Sequence, residues 1–371
     1  ALAGLFTGWE GVAGETLSAS RFEASSLRAA TLATDDVTEV ATWGEIDRLI
    51  EQQQVRAAEE KVEQRLDSAI ARNDDADWAR SLIRLVQLQT ALHGYETAVK
   101  TLQDRDWPGD EFEANVLRLF YAQGLVHYIR AYSWEIRNRE QVVSSENVDL
   151  ARLTLEQIRS LAEAAYLAVW THRRTLEDRP LEDLSEYLDP NNYPPRIRGF
   201  LRDAVTYLWV ELLSDTSLWR PRELNEVDLL DLEVMLENRS DGASEAVLAD
   251  ASVHPLVKIG LLLDDLEAWH LRAGRPEAAA EARFEKYRRL YQSLDQQEDR
   301  SRIEEAFASF LAQLDRHLAW WSVGQAELAE MVSQGPEGDA LIRARDLARE
   351  GMQANPGPST FVPMRSMLAR G

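Results

Sequence analysis

The side chains best suited to proton transfer or metal binding here are six histidines: His93, His127, His172, His254, His270 and His317. No two stand three or four residues apart, and no His-Glu-x-x-His run occurs. No helix can therefore present two imidazoles on one face, as a helical zinc site requires. His127 lies beside an apolar stripe and reads as a hydrogen-bonded core residue. His172, in "THRRTLED", reads as a helix C-terminal turn, where positive charge suits the dipole. The chain has no cysteine, which removes disulfides, thiolate nucleophiles, zinc-thiolate sites and thioesters together. Glycine-rich phosphate loops and the Gly-x-Ser-x-Gly elbow are absent. Neighbouring acids occur at Asp35–Asp36, Asp74–Asp75 and Asp264–Asp265. Two carboxylates about 5–10 Å apart in a deep cleft can hydrolyse glycosides. In a chain with 64 acidic residues, solvated helix starts and faces account for such neighbours. The expectation is a protein that is not an enzyme, with no catalytic residue, metal or cofactor.

Aromatic residues offer a different chemistry, that of recognition. Eleven tryptophans are present, among them Trp43, Trp78, Trp134, Trp170, Trp209, Trp219, Trp269, Trp320 and Trp321, in or beside helical patterns. Most read as large core fillers at helix crossings. "AWW" at 319–321 is the exception, because one helix face cannot bury two consecutive indoles equally. Trp320, Trp321 and Arg288 are the residues singled out for contact with a protein partner. Arg173–Arg174 and Arg288–Arg289 are flanked by acids and read otherwise as solvated ion-pair faces, Arg288 and Arg289 with Glu281 and Glu285 one turn back.

These side chains need elements to position them. The chain has 371 residues, 45% of them hydrophobic and 28% charged, with a formal net charge of −23. That length supports one large or two ordinary domains. The negative balance repels phosphate backbones, which argues against nucleic acid as a partner. No apolar run approaches the roughly 18–20 residues of a membrane span. The helical period dominates from Thr42 onward. Ile46, Leu49, Ile50, Val55, Ala58, Val62, Leu66 and Ile70 follow helical spacing with a break near Gln53–Gln54. "NDDADW" at 73–78 supplies an N-cap cluster, and Thr154 with Gln157 has the form of a capping box that opens a helix to about Leu176. Two long stripes, Leu117 to Tyr132 and Ile197 to Leu212, each predict a helix with one broad apolar face. Strand signals are scarce. The chain is expected to be all-α, with twelve to sixteen helices. Residues 1–40 read as a loosely ordered lead-in and 41–236 as a helical domain. "ENRSDGAS" at 237–244 reads as a boundary, 245–355 as a second helical domain of three or four helices, and 356–371 as an irregular tail.

Three stretches share a pattern: "QVRAAEE" at 54–60, "GYETAVK" at 94–100 and "GRPEAAA" at 274–280. Each places a flexible residue at a helix–helix corner and a small one, Ala58, Ala98 or Ala278, four positions on. The small residue lets the two helices approach closely. This resembles the second-helix entry of the tetratricopeptide repeat, and "ALIRARDLAREGMQANP" at 340–356 resembles a repeat's second helix with its closing Asn-Pro. The corners stand 40 and then 180 residues apart, far from a steady period of about 34. Irregular antiparallel helix pairs in a tetratricopeptide-like solenoid fit this spacing, and an ordinary helical bundle is the alternative for the first pair.

"YSWEIRNR" at 132–139 ends a long aromatic helix. "YLDPNNYPPRIRGFLRDAVTYLWVELLSDTSLWRP" at 187–221 runs from a proline loop through an arginine-led helix to an aromatic-proline exit. With the corners at 42–103 before them, these landmarks resemble the N-terminal helical region of the large bacterial alpha-2-macroglobulin family, over roughly Trp43 to Asn355. The resemblance implies an extracytoplasmic parent, periplasmic or envelope-associated, that traps proteases through further β-sandwich domains. The family's thioester needs a cysteine, so trapping chemistry is not expected in this stretch. The implied function is a non-catalytic scaffold whose partners are proteins, including other domains of the same parent. A free-standing helical-repeat adaptor with no link to proteolysis is the other expectation.

Overall fold

The computed structural model describes residues 40–138, 149–184, 191–239, 243–336 and 338–355. The lead-in, the tail and the Asp35–Asp36 pair fall outside them, apart from Val40. Among the described residues the fold is all-α: sixteen α-helices with short 3₁₀ turns and no strand. The chain divides into two compact units, one made of 1–162 and 184–190, the other of 163–183 and 191–371.

The first unit is a run of consecutive helices, α1 (Trp43–Glu51), α2 (Val55–Arg72), α3 (Asp75–His93), α4 (Tyr95–Asp104) and α5 (Glu111–Ala131), each packed on the next. Local sequence sets their ends. Thr42 and Glu45 form a reciprocal capping box at the start of α1, and Asp74 and Asp110 cap α3 and α5. The reversals use left-handed or positive-φ residues at Gln53, Asn73 and Gly94. Beside the first and third of these corners, Ala58 and Ala98 are buried, as small residues at close crossings must be. A short α6 (Ser133–Arg137) follows, then α7 (Leu155–Thr171). Thr154 and Gln157 exchange hydrogen bonds at its start, 2.9 Å from the Thr154 N–H to Gln157 Oε1 and 3.3 Å in return. This helix stops at Thr171, earlier than its periodicity suggested. There His172 Nδ1 lies 2.9 Å from the Ala168 carbonyl, and a 3₁₀ turn carries the chain on to Leu176.

The second unit is built on α8 (Leu201–Ser214), α12 (Pro255–Arg272), α13 (Pro276–Ser293), α14 (Gln297–Gln313), α15 (Ala319–Ser333) and α16 (Ala340–Ala354). Short helices α9 (Pro221–Glu226), α10 (Leu232–Leu236) and α11 (Glu245–Ala249) lie between. Six α-helices therefore follow residue 244, more than the three or four expected. The segment 237–244 does not separate two bodies. Lys286 Nζ on α13 donates to the Glu237 carbonyl at 2.7 Å, and the Arg239 N–H donates to Asp264 on α12 at 2.9 Å, so its described residues are tied into the unit. Gly274 turns α12 into α13 at φ 69, and Ala278, Ala279, Ala280 and Ala282 are all buried beside it.

Neither long stripe belongs to a one-faced helix. α5 is buried from Ala114 to Ile129 with the sole exceptions of Arg118 and Tyr121. α8 buries Arg202, Asp203 and Thr206 along with its aliphatic residues. Neighbours surround each helix on several sides, so polar positions that periodicity assigns to solvent end up inside.

Candidate functional site

Trp320 and Arg288 meet at Glu281, whereas Trp321 turns to the end of α14, and Arg288 is only part-buried. Trp320 and Trp321 are 8% and 1% exposed. They escape the limit of a single helix face because α15 has neighbours on different sides. Trp320 Nε1 donates to Glu281 Oε2 of α13 at 2.7 Å, and its ring packs against Tyr193. Trp321 Nε1 donates to the Leu311 carbonyl at the end of α14 at 2.9 Å. Both indoles are buried, which counts against Trp320 and Trp321 as contacts for a protein partner.

The Trp320 indole caps a buried cluster of charge. Arg198, in the segment entering α8, donates from Nη2 to Glu281 Oε1 at 2.5 Å and to Glu285 Oε2 at 2.9 Å. Its guanidinium lies against the rings of Tyr207 and Tyr193 at 3.5 and 3.9 Å, so aromatic rings cover its flat surface while Nη2 serves both carboxylates. Arg288 pairs with Glu285 and reaches Glu327 Oε1 of α15 at 2.6 Å, and Arg289 Nε donates to Glu285 Oε1 at 2.7 Å. Glu281 and Glu285 are therefore core residues rather than a solvated face. Burial works against the charge on Glu285, but Arg288, Arg198 and Arg289 outweigh it and hold its pKa down at about 2. Glu327 goes the other way. Its Oε2 is enclosed without a hydrogen-bond partner, and burial, with repulsion from Glu281 and Glu285, pushes its pKa up to about 7 against the pull of Arg288.

The same logic recurs along α12. Its acids read as a solvated pair from sequence, yet Asp264 and Asp265 are buried. Lys286 Nζ donates to both oxygens of Asp264 at 2.8 and 3.0 Å. With the Glu237 carbonyl as a third acceptor, all its protons are engaged, although burial lowers its pKa. Arg202 donates to Asp265 at 2.6 Å, Arg283 Nε to Glu267 at 2.8 Å, and His270 Nε2 lies 2.7 Å from Asp203 Oδ1 with both side chains fully enclosed. Lys286, Arg202 and Arg283 meet Asp264, Asp265 and Glu267 as paired, hydrogen-bonded charges, the state in which a buried charge is tolerated.

A surface open to a ligand lies on a different face of α15 from the one that carries Trp320. A groove of about 620 Å³ runs between α14 and α16. Leu328 and Val332 of α15 form part of its floor, and Ala308 of α14 and Leu347 of α16 add apolar wall. Glu304 and Glu305 stand on the α14 wall, Asp346 and Glu350 on the α16 wall. Helical register produces this alignment: Ser301, Glu304, Glu305 and Ala308 fall at i, i+3, i+4 and i+7, as Arg343, Asp346, Leu347 and Glu350 do. Four carboxylates against the single Arg343 make the lining negative, although some have partners. Glu350 pairs with Arg316, Asp346 with Arg345 and Arg349, and the Tyr291 hydroxyl lies 3.4 Å from Glu304 Oε1. Sequence inspection missed this groove because its residues come from three helices, and each of those helices shows only an ordinary mixed face. Among the described residues no group of three potential metal ligands is assembled, and no helix is long and apolar enough to cross a membrane. Comparison with protein-family models, curated proteins and solved structures finds no match to this chain.

Proposed function

We propose that this chain is a non-catalytic helical scaffold that binds a polypeptide segment in the α14–α16 groove. The observation that carries the proposal is the groove itself, an open channel of about 620 Å³ with an apolar floor and charged walls. A side-by-side helical channel of this kind suits an extended or helical peptide, which buries apolar side chains on the floor and satisfies its charges at the rim. The tetratricopeptide-like corners at Gln54, Gly94 and Gly274 support a repeat-type scaffold. The ordered landmarks from Trp43 to Asn355 support a place in an envelope protein of the alpha-2-macroglobulin kind, with the groove serving other domains of that parent or an external protein.

The test is to pan a random peptide library displayed on phage against the full chain, then measure the recovered peptides on a Glu305→Lys/Asp346→Lys variant. Both positions are exposed, so thermal melting should match the parent. Loss of at least tenfold in affinity supports the proposal. Binders indifferent to the exchange would remove the groove as the working surface.

A further inference from the structure

The groove has an acidic rim and an apolar floor, and the segment that follows α16 is its chemical complement. Residues 356–371, "PGPSTFVPMRSMLARG", contain Arg365 and Arg370 and no acidic residue, in a chain whose net charge is −23. They also carry Phe361, Val362, Met364, Met367 and Leu368. Apolar and basic side chains interleaved in this way match a floor of Leu328 and Val332 flanked by Glu304, Glu305, Asp346 and Glu350.

Connectivity favours the same match. α16 supplies one wall of the groove, Glu350 included, and ends only four residues later at Ala354. Asn355 is anchored there, its Nδ2 donating to the Leu318 carbonyl at 3.0 Å. The next residues, Pro356, Gly357 and Pro358, are turn formers. The α14 wall, Gln297 to Ala308, rises only about 17 Å. Sixteen residues reach roughly 50 Å when extended, so length is no obstacle to a return along the groove.

We infer that the groove is the receptor for the chain's own segment 356–371, bound intramolecularly, and that any external partner competes with it. This rests on the groove being a polypeptide site. A tethered segment presents itself at an effective concentration of about millimolar. A competitor is therefore weakened by about the ratio of that concentration to the segment's own Kd, roughly tenfold for a segment that binds at about 100 μM.

The test uses a fluorescent peptide with the sequence of residues 359–371, titrated by anisotropy into three full-length chains. These are the wild type, Arg365→Glu/Arg370→Glu, and that variant carrying Glu305→Lys/Asp346→Lys as well. The expected result is binding at least tenfold tighter to the tail variant than to wild type, and loss of that binding when the groove charges are inverted. Equal affinity for wild type and tail variant overturns the inference, as does binding that survives groove inversion. A wild-type chain that sediments as a dimer, and becomes monomeric on Arg365→Glu/Arg370→Glu, places the segment on a second copy and overturns the intramolecular form. If library peptides depend on the groove charges but the tail peptide binds no chain, the tail is excluded and the groove remains. If no peptide depends on those charges, both proposals fall.

Discussion

Asp77 in the first unit and Glu281 in the second are both buried carboxylates held by arginine, yet they are held differently. Asp77 accepts from Trp43, Arg65 and Arg72 at 3.1, 2.9 and 3.1 Å, all within 34 residues of sequence, and Arg72 is half exposed. Glu281 and Glu285 are both held by Arg198, more than 80 residues away and 7% exposed, beside the local Arg288 and Arg289. Among its described residues the first unit buries few charged groups, Asp77 and Arg159, and its helices meet chiefly through apolar faces and local caps. The second encloses Arg198, Arg202, Asp203, Asp264, Asp265, Glu267, Glu281, Arg283, Glu285 and Lys286. One unit can lose a single polar contact at local cost. The other depends on its charges staying paired, since an enclosed charge without its partner is worse than no charge.

That contrast is most easily broken at Arg198. Arg198→Met leaves Glu281 and Glu285 enclosed with one guanidinium fewer, and should destabilise the second unit by about 3–5 kcal/mol. Urea denaturation of the full chain, followed by tryptophan fluorescence, measures it. A loss under 1 kcal/mol would mean that water already reaches the cluster. Next in size is a dependence on pH. Glu327 has its pKa raised from 4.5 to about 7, so between those values the folded chain binds more protons than the unfolded one. Its contribution is present below pH 4.5 and lost as pH rises through 7, on the order of 3 kcal/mol. Glu285, lowered from 4.5 to about 2, gives the opposite sign: stability present above pH 4.5 and lost as pH falls toward 2. Glu327→Gln should therefore flatten the fall in melting temperature between pH 5 and 8 without changing the acid limb. An unchanged slope would count against a proton on Glu327.

Caps and corners were legible in the sequence of both units, and the buried charges of the second were not. Thr154 with Gln157, the Asp74 cap, and the corners at Gln53–Gln54 and Gly94 depend on neighbours within a few residues, so local pattern contains them. α13 shows why the rest was hidden. "EAAAEARFEKYRRL" alternates small and charged residues, and any helical projection assigns its acids to solvent. Glu281 and Glu285 are buried because Arg198 arrives from more than 80 residues away and the Trp320 indole from α15, and no spacing along the chain records that. Two adjacent indoles, Trp320 and Trp321, stand out in the sequence, but their burial depends on α15 having Glu281 on one side and the end of α14 on another. The groove was invisible on the same grounds, since each wall belongs to a different helix.

Gly324 extends the comparison to shape. A β-carbon at this position would stand 2.5 Å from Phe284 Cζ and 2.6 Å from Leu311 Cδ2, inside a close approach of α15 to α13 and α14. Phe284 is enclosed and packs against Phe307 at 5.0 Å between ring centres, so it has nowhere to retreat. Gly324→Ala should lose about 1–3 kcal/mol by overpacking, despite the better helix propensity of alanine. Equal or higher stability would show that the aromatic cluster can shift.

The smallest effects test how the two units combine their interactions. Thr42→Ala and Thr154→Ala each remove an N-cap in the first unit and should cost about 1 kcal/mol apiece. Their caps share no partner, with Thr42 bound to Glu45 and Thr154 to Gln157, so the double variant should lose the sum to within about 0.5 kcal/mol. Arg198→Met and Glu281→Leu touch one hydrogen bond from its two ends. Once either is gone, the other no longer leaves that partner stranded, so their double variant should fall short of the sum by roughly 0.5–3 kcal/mol. Additivity in both cycles would mean that the buried cluster behaves like a set of independent caps, and the distinction between the two units would be one of burial alone.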